Sequence, residues 1–222
     1  EREELMQFLS HDMRSPLISI LTMMQSSEGH ATAVTDPDAV RRFVLKVLAL
    51  ADDFILLARA QAVTYAIEPV SLRSLVDDAA DELWPQFEAA GVVLELEGVE
   101  EPWLIDGDPF LLARALVNIF GNAIKYAADG ERVVCSVENV MDEGVARVRV
   151  SIRDFGPGIS PENLERIFDR FNQGSTRSRS TGVGLGLTFV NVVVRRHHGT
   201  ITCKSEPGQG TCFILTFQAI MV

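Results

Sequence analysis

The residues that decide the fold lie in the middle of the chain, in the stretch NIFGNAIKY at positions 118–126. Asn118, Asn122 and Lys125 follow one another at steps of four and three, so a helix would carry all three side chains on one face. One amide on an apolar helix is usually a polar group satisfied within the core. Two amides and a lysine in register fit a wet polar pocket better, where an amide oxygen can ligate Mg²⁺ and the lysine can meet a phosphate.

Three further motifs follow in the chain. DFGPG at positions 154–158 comes directly after a predicted strand. Its Asp154 could accept a hydrogen bond from an adenine amino group, and the alternative is an ordinary turn. IFDRF at positions 167–171 puts two aromatic residues at the entrance to a loop, where packing as a hinge is at least as plausible as ligand contact. GVGLG at positions 182–186 ends that loop and opens a helix, whose free amides attract anions. Taken by itself, such a glycine-rich loop is more often a flexible connection than a phosphate cradle.

The charge of the chain is strongly acidic, with 20 Lys and Arg against 31 Asp and Glu and a net charge of -11. This balance argues against nucleic acid or an anionic membrane as a general partner. Between Arg170 and Ser205, however, there is no Asp or Glu, and five arginines fall in that stretch. The sequence therefore predicts a local basic site for phosphate in an acidic protein.

The periodicity divides the chain into two predicted domains, residues 1–66 and residues 67–222. Apolar residues of the first part recur at three- and four-residue steps, which predicts a helix from Leu5 to Met24 and a second one after the cap and proline of Asp36 and Pro37. The apolar faces are too wide for two helices alone, so we expect a helical hairpin that dimerises into a four-helix bundle. Packing against the second half of the same chain is the alternative.

The second part predicts an α+β sandwich, with helices over a largely antiparallel sheet. The helical pattern breaks at Pro69. The predicted elements are a helix at 72–90, strands at 92–97 and 103–106, a helix from 109 to about 127, strands at 132–140 and 146–153, a short helix after 161, a helix at 185–198 and a hairpin at 200–205 and 210–218.

Cellular context is also suggested by the composition. No apolar run approaches the roughly 18 to 20 residues that span a bilayer, and the first residues have no signal-peptide character. Since the chain begins with Glu1 rather than Met, we expect a piece of a longer protein. The cysteines at positions 135, 203 and 212 lack metal-ligand spacing, which predicts reduced, buried, cytosolic thiols.

One misleading motif is Asp154-Phe155-Gly156, which matches the metal-binding triplet of eukaryotic-type protein kinases. In that family a Gly-rich loop, a lysine strand and a His-Arg-Asp loop all precede the triplet. Here the glycine loop follows it and neither other element exists. We therefore reject this assignment.

The four motifs in this order resemble the catalytic and ATP-binding domain of the histidine kinases, within the ATPase superfamily shared with gyrase and the large heat-shock chaperones. The resemblance implies that Asn122 holds Mg²⁺ with Asn118 nearby, that Lys125 and Arg170 approach the triphosphate of ATP, and that Asp154 reads adenine. It also implies an ATP lid at about residues 171–181. The other residues implied to contact the nucleotide are Tyr126, Gly156, Gly158, Phe168, Phe171, Gly182, Gly184, Gly186 and Leu187.

The stretch FLSHDMRSPL at positions 8–17 resembles the phosphoacceptor box of the same family. At roughly 100° per residue His11 lies about opposite the apolar stripe, on the exposed side of its helix. A neutral imidazole is available near neutral pH to attack phosphorus, and Asp12 can take or orient its proton. The resemblance implies autophosphorylation of His11 within a homodimer, followed by transfer to an aspartate in the receiver domain of a response regulator.

Two departures from the family pattern bear on activity. Asp12 replaces the more usual glutamate, which leaves kinase activity expected, and Ser15 stands where threonine or asparagine often positions a water, which puts phosphatase activity in doubt. The family also implies the cytoplasmic part of a membrane-anchored sensor, whose membrane segments are absent from this chain. The alternatives are a related ATPase or serine kinase, and a degenerate kinase that dimerises and senses nucleotide.

Overall fold

The computed structural model describes Ile18 and residues 37–61, 66–99, 101–127, 132–169 and 184–220 of the chain. Ile18 is helical, as predicted, and the rest of the predicted first helix lies outside the described residues. The elements in chain order are α1 (Pro37–Ala60), β1 (Glu68–Val70), α2 (Leu72–Ala90), β2 (Val93–Gly98), β3 (Ile105–Gly107), α3 (Pro109–Tyr126), β4 (Arg132–Asp142), β5 (Val145–Asp154), α4 (Pro161–Leu164), α5 (Gly186–Arg196), β6 (Thr200–Ser205) and β7 (Thr211–Gln218).

The main sheet has five strands in the order β2-β4-β5-β7-β6. Only the β2–β4 pair is parallel among these neighbours, so the expectation of a largely antiparallel sheet is confirmed. A second sheet pairs β1 with β3. The sequence pattern places a break at Pro69, whereas the structure places Pro69 inside β1. A proline is tolerated there because β1 has a partner on one side only and needs no amide on the other.

The core lies between the sheet and the helices α2, α3 and α5. Along β5, Val148, Val150 and Ile152 are buried, and they alternate with side chains on the opposite face of the sheet. Phe87 of α2 and Phe120 of α3 meet edge to face at 6.2 Å between ring centroids. This packing of α2 on α3 buries one face of the helix that contains the NIFGNAIKY stretch and thereby fixes the face that carries its amides.

The start of α3 follows from its sequence. Asp108 caps the helix, since its side chain accepts a hydrogen bond of 3.0 Å from the amide of Leu111, and Pro109 occupies the first turn. The amide of Asp108 itself donates to Nε2 of the buried His197, and Nδ1 of that ring donates to the carbonyl of Val193 at 2.7 Å. Burial lowers the pKa of His197, so the neutral ring joins the end of α5 to the start of α3.

Helix α1 begins at Pro37, as the cap-and-proline signal predicts, and it has two kinds of apolar surface. Val44, Leu48 and Ile55 are exposed, as a dimerising stripe requires. Leu57 and Ala60 are instead buried in the common core. The alternative of packing against the second half therefore holds for the last turns of α1, while the bundle and the domain boundary at residue 66 stay predictions.

Two polar contacts accompany this packing. The guanidinium of Arg59 lies over the ring of Phe110 at 4.2 Å from its centroid. Arg196, the last residue of α5, donates a hydrogen bond of 2.7 Å to the carbonyl of Gln61. The end of α1 is thus attached to the start of α3 and to the end of α5.

The cysteines match the expectation of free thiols and only in part that of burial. All three are free, but Cys135 alone among them is buried, and Cys203 and Cys212 are half-buried. The two half-buried thiols lie on strands near the edge of the sheet, where cover is incomplete. Burial raises the pKa of Cys135 and of Cys203 to about 12, so neither is a ready thiolate. Within the described ranges no helix is long and apolar enough to cross a membrane.

Candidate functional site

Asn118, Asn122 and Lys125 lie on α3, as the spacing predicts. Both asparagines are half-buried, and neither amide forms a hydrogen bond with another residue in the part of the chain that the structure describes. A β-carbon added at Gly186, the first residue of α5, would lie 3.5 Å from Oδ1 of Asn118. The first and the last of the four motifs therefore meet, with an amide oxygen beside the start of a helix.

Asp154 ends β5 and is 5% exposed. Its Oδ1 accepts two hydrogen bonds from backbone amides, at 3.0 Å from Gly156 and at 3.1 Å from Thr211. Burial raises the pKa of Asp154, and these amides together with the nearby Arg153 oppose the rise. A buried carboxyl group held by one oxygen has the chemistry of a specific acceptor for a ligand.

The loop after Asp154 packs directly on the end of α3. A β-carbon at Gly156 would come 2.3 Å from the carbonyl oxygen of Tyr126, which no larger residue could accommodate without moving the backbone. Tyr126 is half-buried, and the ammonium of Lys125 lies 4.8 Å from the centroid of its ring. The aromatic residue, the lysine and the acidic loop thus belong to one corner of the fold.

Phe168 is half-buried and connects the third motif to this corner. Its ring meets that of Phe213 on β7 edge to face at 6.5 Å, and its carbonyl accepts a hydrogen bond of 3.2 Å from the hydroxyl of Thr188 on α5. The structure thus gives Phe168 the packing role that the sequence analysis left open beside ligand contact.

The remaining predicted site residues divide into two groups. Gly158, Gly184 and Leu187 are described and half-buried, and Leu187 packs against the core. Six predicted residues lie outside the described ones: His11, Asp12, Ser15, Arg170, Phe171 and Gly182. Their roles stay predictions.

Sequence reasoning missed two residues that complete the corner, Thr211 and Ser205. Thr211 is 57 positions from the carboxyl group that its amide binds. The motif Gly208-Gln209-Gly210-Thr211 is visible in the sequence, but its meeting with Asp154 depends on the pairing of β5 with β7. Only the sheet topology reveals that contact.

The donor set for a metal ion is limited. Among the described residues there is no group of three or more His, Cys, Asp and Glu side chains that could hold one. The amide oxygens of Asn118 and Asn122 are hard neutral ligands, which suit Mg²⁺ when a bound phosphate supplies further oxygens. These two amide oxygens are therefore better suited to a metal ion that binds together with a nucleotide than to one that the protein binds by itself.

Known proteins resemble this chain over nearly all of its length. It is 33% identical over 225 residues to the sensor protein KdpD of Escherichia coli K12, covering 97% of this chain and 24% of KdpD. It is 31% identical to the sensor-like histidine kinase SenX3 of Mycobacterium tuberculosis H37Rv, covering 99% of this chain and 54% of SenX3. The crystal structure of full-length ShkA in complex with AMPPNP superposes with a TM-score of 0.70 at 26% identity, over 99% of this chain and 46% of ShkA.

The chain therefore spans about half or less of the length of these relatives. Residues 107–220, which contain all four motifs of the corner, match the family described as histidine kinase-, DNA gyrase B- and HSP90-like ATPase. Motif order, fold and similarity agree, and the chain belongs to this ATPase family, with sensor histidine kinases as its relatives.

Proposed function

We propose that this chain is the catalytic core of a sensor histidine kinase, which binds MgATP and autophosphorylates on His11. The observation that carries the proposal is the convergence of the motifs: Asn118 meets Gly186, and Gly156 meets Tyr126 beside Asp154. A nucleotide in this corner would place its adenine at Asp154 and its phosphates near the start of α5. The AMPPNP bound in the ShkA structure supports ATP as the ligand.

The phosphates would lie where the helix α5 begins, because free amides at a helix start carry partial positive charge. Lys125 and Arg170 add full charges, and Asn122, with Asn118 beside it, supplies amide oxygen to Mg²⁺. When bound, Mg²⁺ would neutralise charge on the phosphate oxygens. Gly156, Gly158, Phe168, Phe171, Gly182, Gly184 and Leu187 shape the pocket, and residues 171–181 cover it and exclude water.

The transfer itself uses a nitrogen lone pair of neutral His11. A bond forms between that nitrogen and the γ-phosphorus, the bond from the phosphorus to the bridging oxygen breaks, and ADP leaves with the electron pair. The positively charged ring then loses the proton of its other nitrogen to Asp12. The phosphoramidate product has enough energy to pass its phosphoryl group to an aspartate of a response regulator receiver domain.

A homodimer through the N-terminal hairpin is the proposed assembly. It is supported by the exposed Val44, Leu48 and Ile55, which share one side of α1. We also propose that the chain is the cytoplasmic part of a longer, membrane-anchored sensor, as the family resemblance implies; the chain covers 24% of KdpD and 54% of SenX3. We do not expect the surface of this chain itself to bind nucleic acid or a membrane.

Labelling with γ-labelled ATP and Mg²⁺ tests the proposal. The unmodified chain should take up acid-labile, alkali-stable phosphate, and His11→Gln and Asn122→Ala should take up none. The matched control is His198→Gln, which removes an exposed histidine outside the four nucleotide motifs and the phosphoacceptor box and should keep the label.

Equal labelling of His11→Gln would contradict the assignment of the nucleophile. ATP hydrolysis without any phosphoprotein would instead favour an ATPase. The phosphorylated chain, mixed with purified receiver domains, should lose its label to an aspartate of one of them.

A further inference from the structure

Ser205, the last residue of β6, connects three segments around Asp154. Its Oγ accepts a hydrogen bond of 2.9 Å from the amide of Ile159 and donates one of 2.7 Å to the carbonyl of Gly210. The hydroxyl of Thr211 lies 3.1 Å from the same oxygen. A hydroxyl has one proton and two lone pairs, so Thr211 must be the donor in that contact. The half-buried Ser205 therefore uses its full bonding capacity inside the protein.

The segment that Ser205 holds is the one that orients Asp154. The amide of Thr211 donates to Oδ1 of Asp154. Gly210 has φ +80°, and a β-carbon there would lie 2.1 Å from the carbonyl oxygen of Asp154. The turn before β7 thus packs on the backbone of Asp154 and also bonds its side chain, so a displacement of this turn would alter one of the two hydrogen bonds that orient the carboxyl group.

The orientation of the carboxyl group matters because both amides bind the same oxygen. Gly156 and Thr211 each donate to Oδ1, and neither uses Oδ2. Fixing Oδ1 fixes the direction of Oδ2, and hydrogen bonds weaken steeply when their angle departs from linear. A small rotation of Asp154 would therefore weaken the hydrogen bond between its Oδ2 and the amino group of a bound purine.

We propose that Ser205 is a positioning residue for base selection, which acts through Gly210 and Thr211 to aim Asp154 at the amino group of a 6-aminopurine. The inference rests on the proposed ATP site. It predicts that the Ser205 hydroxyl sets the preference for adenine over hypoxanthine nucleotides and contributes little to the binding of the phosphates.

Calorimetric titration of ADP and IDP tests this, because neither is consumed and IDP has an oxygen in place of the amino group. The unmodified chain should prefer ADP. Ser205→Ala should weaken ADP binding about five- to tenfold, the effect of one lost hydrogen bond, and change IDP binding less than about twofold. Thr202→Ala removes an exposed hydroxyl from the same strand and should leave both affinities unchanged.

A double-mutant cycle separates positioning from a general structural role. In an Asp154→Ala background, Ser205→Ala should have no further effect on the ratio of ADP to IDP affinity. Equal losses for both nucleotides on Ser205→Ala, or an unchanged preference for ADP, would overturn the inference.

Failure of the proposed function has a different signature, since the unmodified chain would then bind neither nucleotide or bind both equally. If Ser205→Ala does not fold, Ser205→Thr and Ser205→Val provide a nearly isosteric pair. The threonine variant should retain the preference for ADP, the valine variant should lose it, and equal preferences in the two would overturn the inference.

Discussion

Replacing His198 by glycine should stabilise the protein, because His198 occupies a backbone position that suits glycine. It follows the last turn of α5 with φ +54°. Its amide donates to the carbonyl of Arg195 at 3.1 Å, and the amide of Gly199 donates to that of Val194 at 2.9 Å. This pair of bonds is the Schellman motif, in which the left-handed residue is usually glycine.

The magnitude follows from two opposing terms. A left-handed conformation costs an L-residue about 1–2 kcal/mol relative to glycine. Glycine in turn loses about 0.5–1 kcal/mol more backbone entropy on folding. The side chain of His198 is exposed, so little packing is lost. His198→Gly should therefore raise the free energy of unfolding by about 0.5–1 kcal/mol and the melting temperature by about 1–4 °C.

Urea denaturation of the full chain near neutral pH measures this change as a higher midpoint at an unchanged slope. The matched control is His198→Ala, which removes the imidazole and keeps the strained backbone, and it should give no comparable gain. If alanine stabilised the chain as much as glycine, the gain would come from loss of the imidazole, and the argument from backbone strain would be wrong.

Three other predictions concern buried or bridging groups. Burial and the neighbouring Asp52 raise the pKa of Asp53 to about 6 against the opposing effect of Arg114, so the folded chain binds a proton that the unfolded chain releases near pH 4. The contribution of Asp53 to the free energy of unfolding should therefore fall as the pH rises from about 4 to 6. At about pH 8 the Asp53→Asn variant should be more stable than the unmodified chain, and at about pH 4 it should not. Midpoints of urea denaturation at the two pH values measure this difference. Burial likewise raises the pKa of Asp154. The affinity for ADP, measured by calorimetry, should therefore decrease as acid protonates this acceptor. An equally steep decrease in the Asp154→Asn variant would contradict the assignment of Asp154 as the acceptor. Arg196→Ala removes the 2.7 Å bond to Gln61 and should cost about 1 kcal/mol in urea denaturation, whereas Arg195→Ala, which loses an exposed bond to Asn191, should cost less than about 0.5 kcal/mol.

Local signals in the sequence were sufficient for most of the second half. Asp108 and Pro109 predicted the start of α3 because a capping side chain and a proline act within one turn. The alternation around Val148, Val150 and Ile152 predicted β5 for the same reason. The spacing of Asn118, Asn122 and Lys125 likewise needed only the helical period.

Other features depend on which distant segments meet, and local patterns do not carry that information. The bonds of Thr211 and Ser205 around Asp154 require the strand order of the main sheet. The burial of Leu57 arises from packing between the two halves, which the apolar spacing of the first part alone does not indicate. Pro69 lies within a strand because its segment pairs with β3.

Helix α5 connects the candidate nucleotide site to the end of α1. Its first residue, Gly186, adjoins Asn118, and its last residue, Arg196, is bonded to Gln61 at the end of α1. Eleven residues at 1.5 Å each make a rod of about 16 Å between the two. The His197 ring also pins the far end of this rod to α3. The end near Asn118 is held as well, since the hydroxyl of Thr188 donates to the carbonyl of Phe168. Helix α5 therefore joins the candidate nucleotide site to α1 as one rigid element, and a ligand that displaced its first turn would also load the attachment to α1.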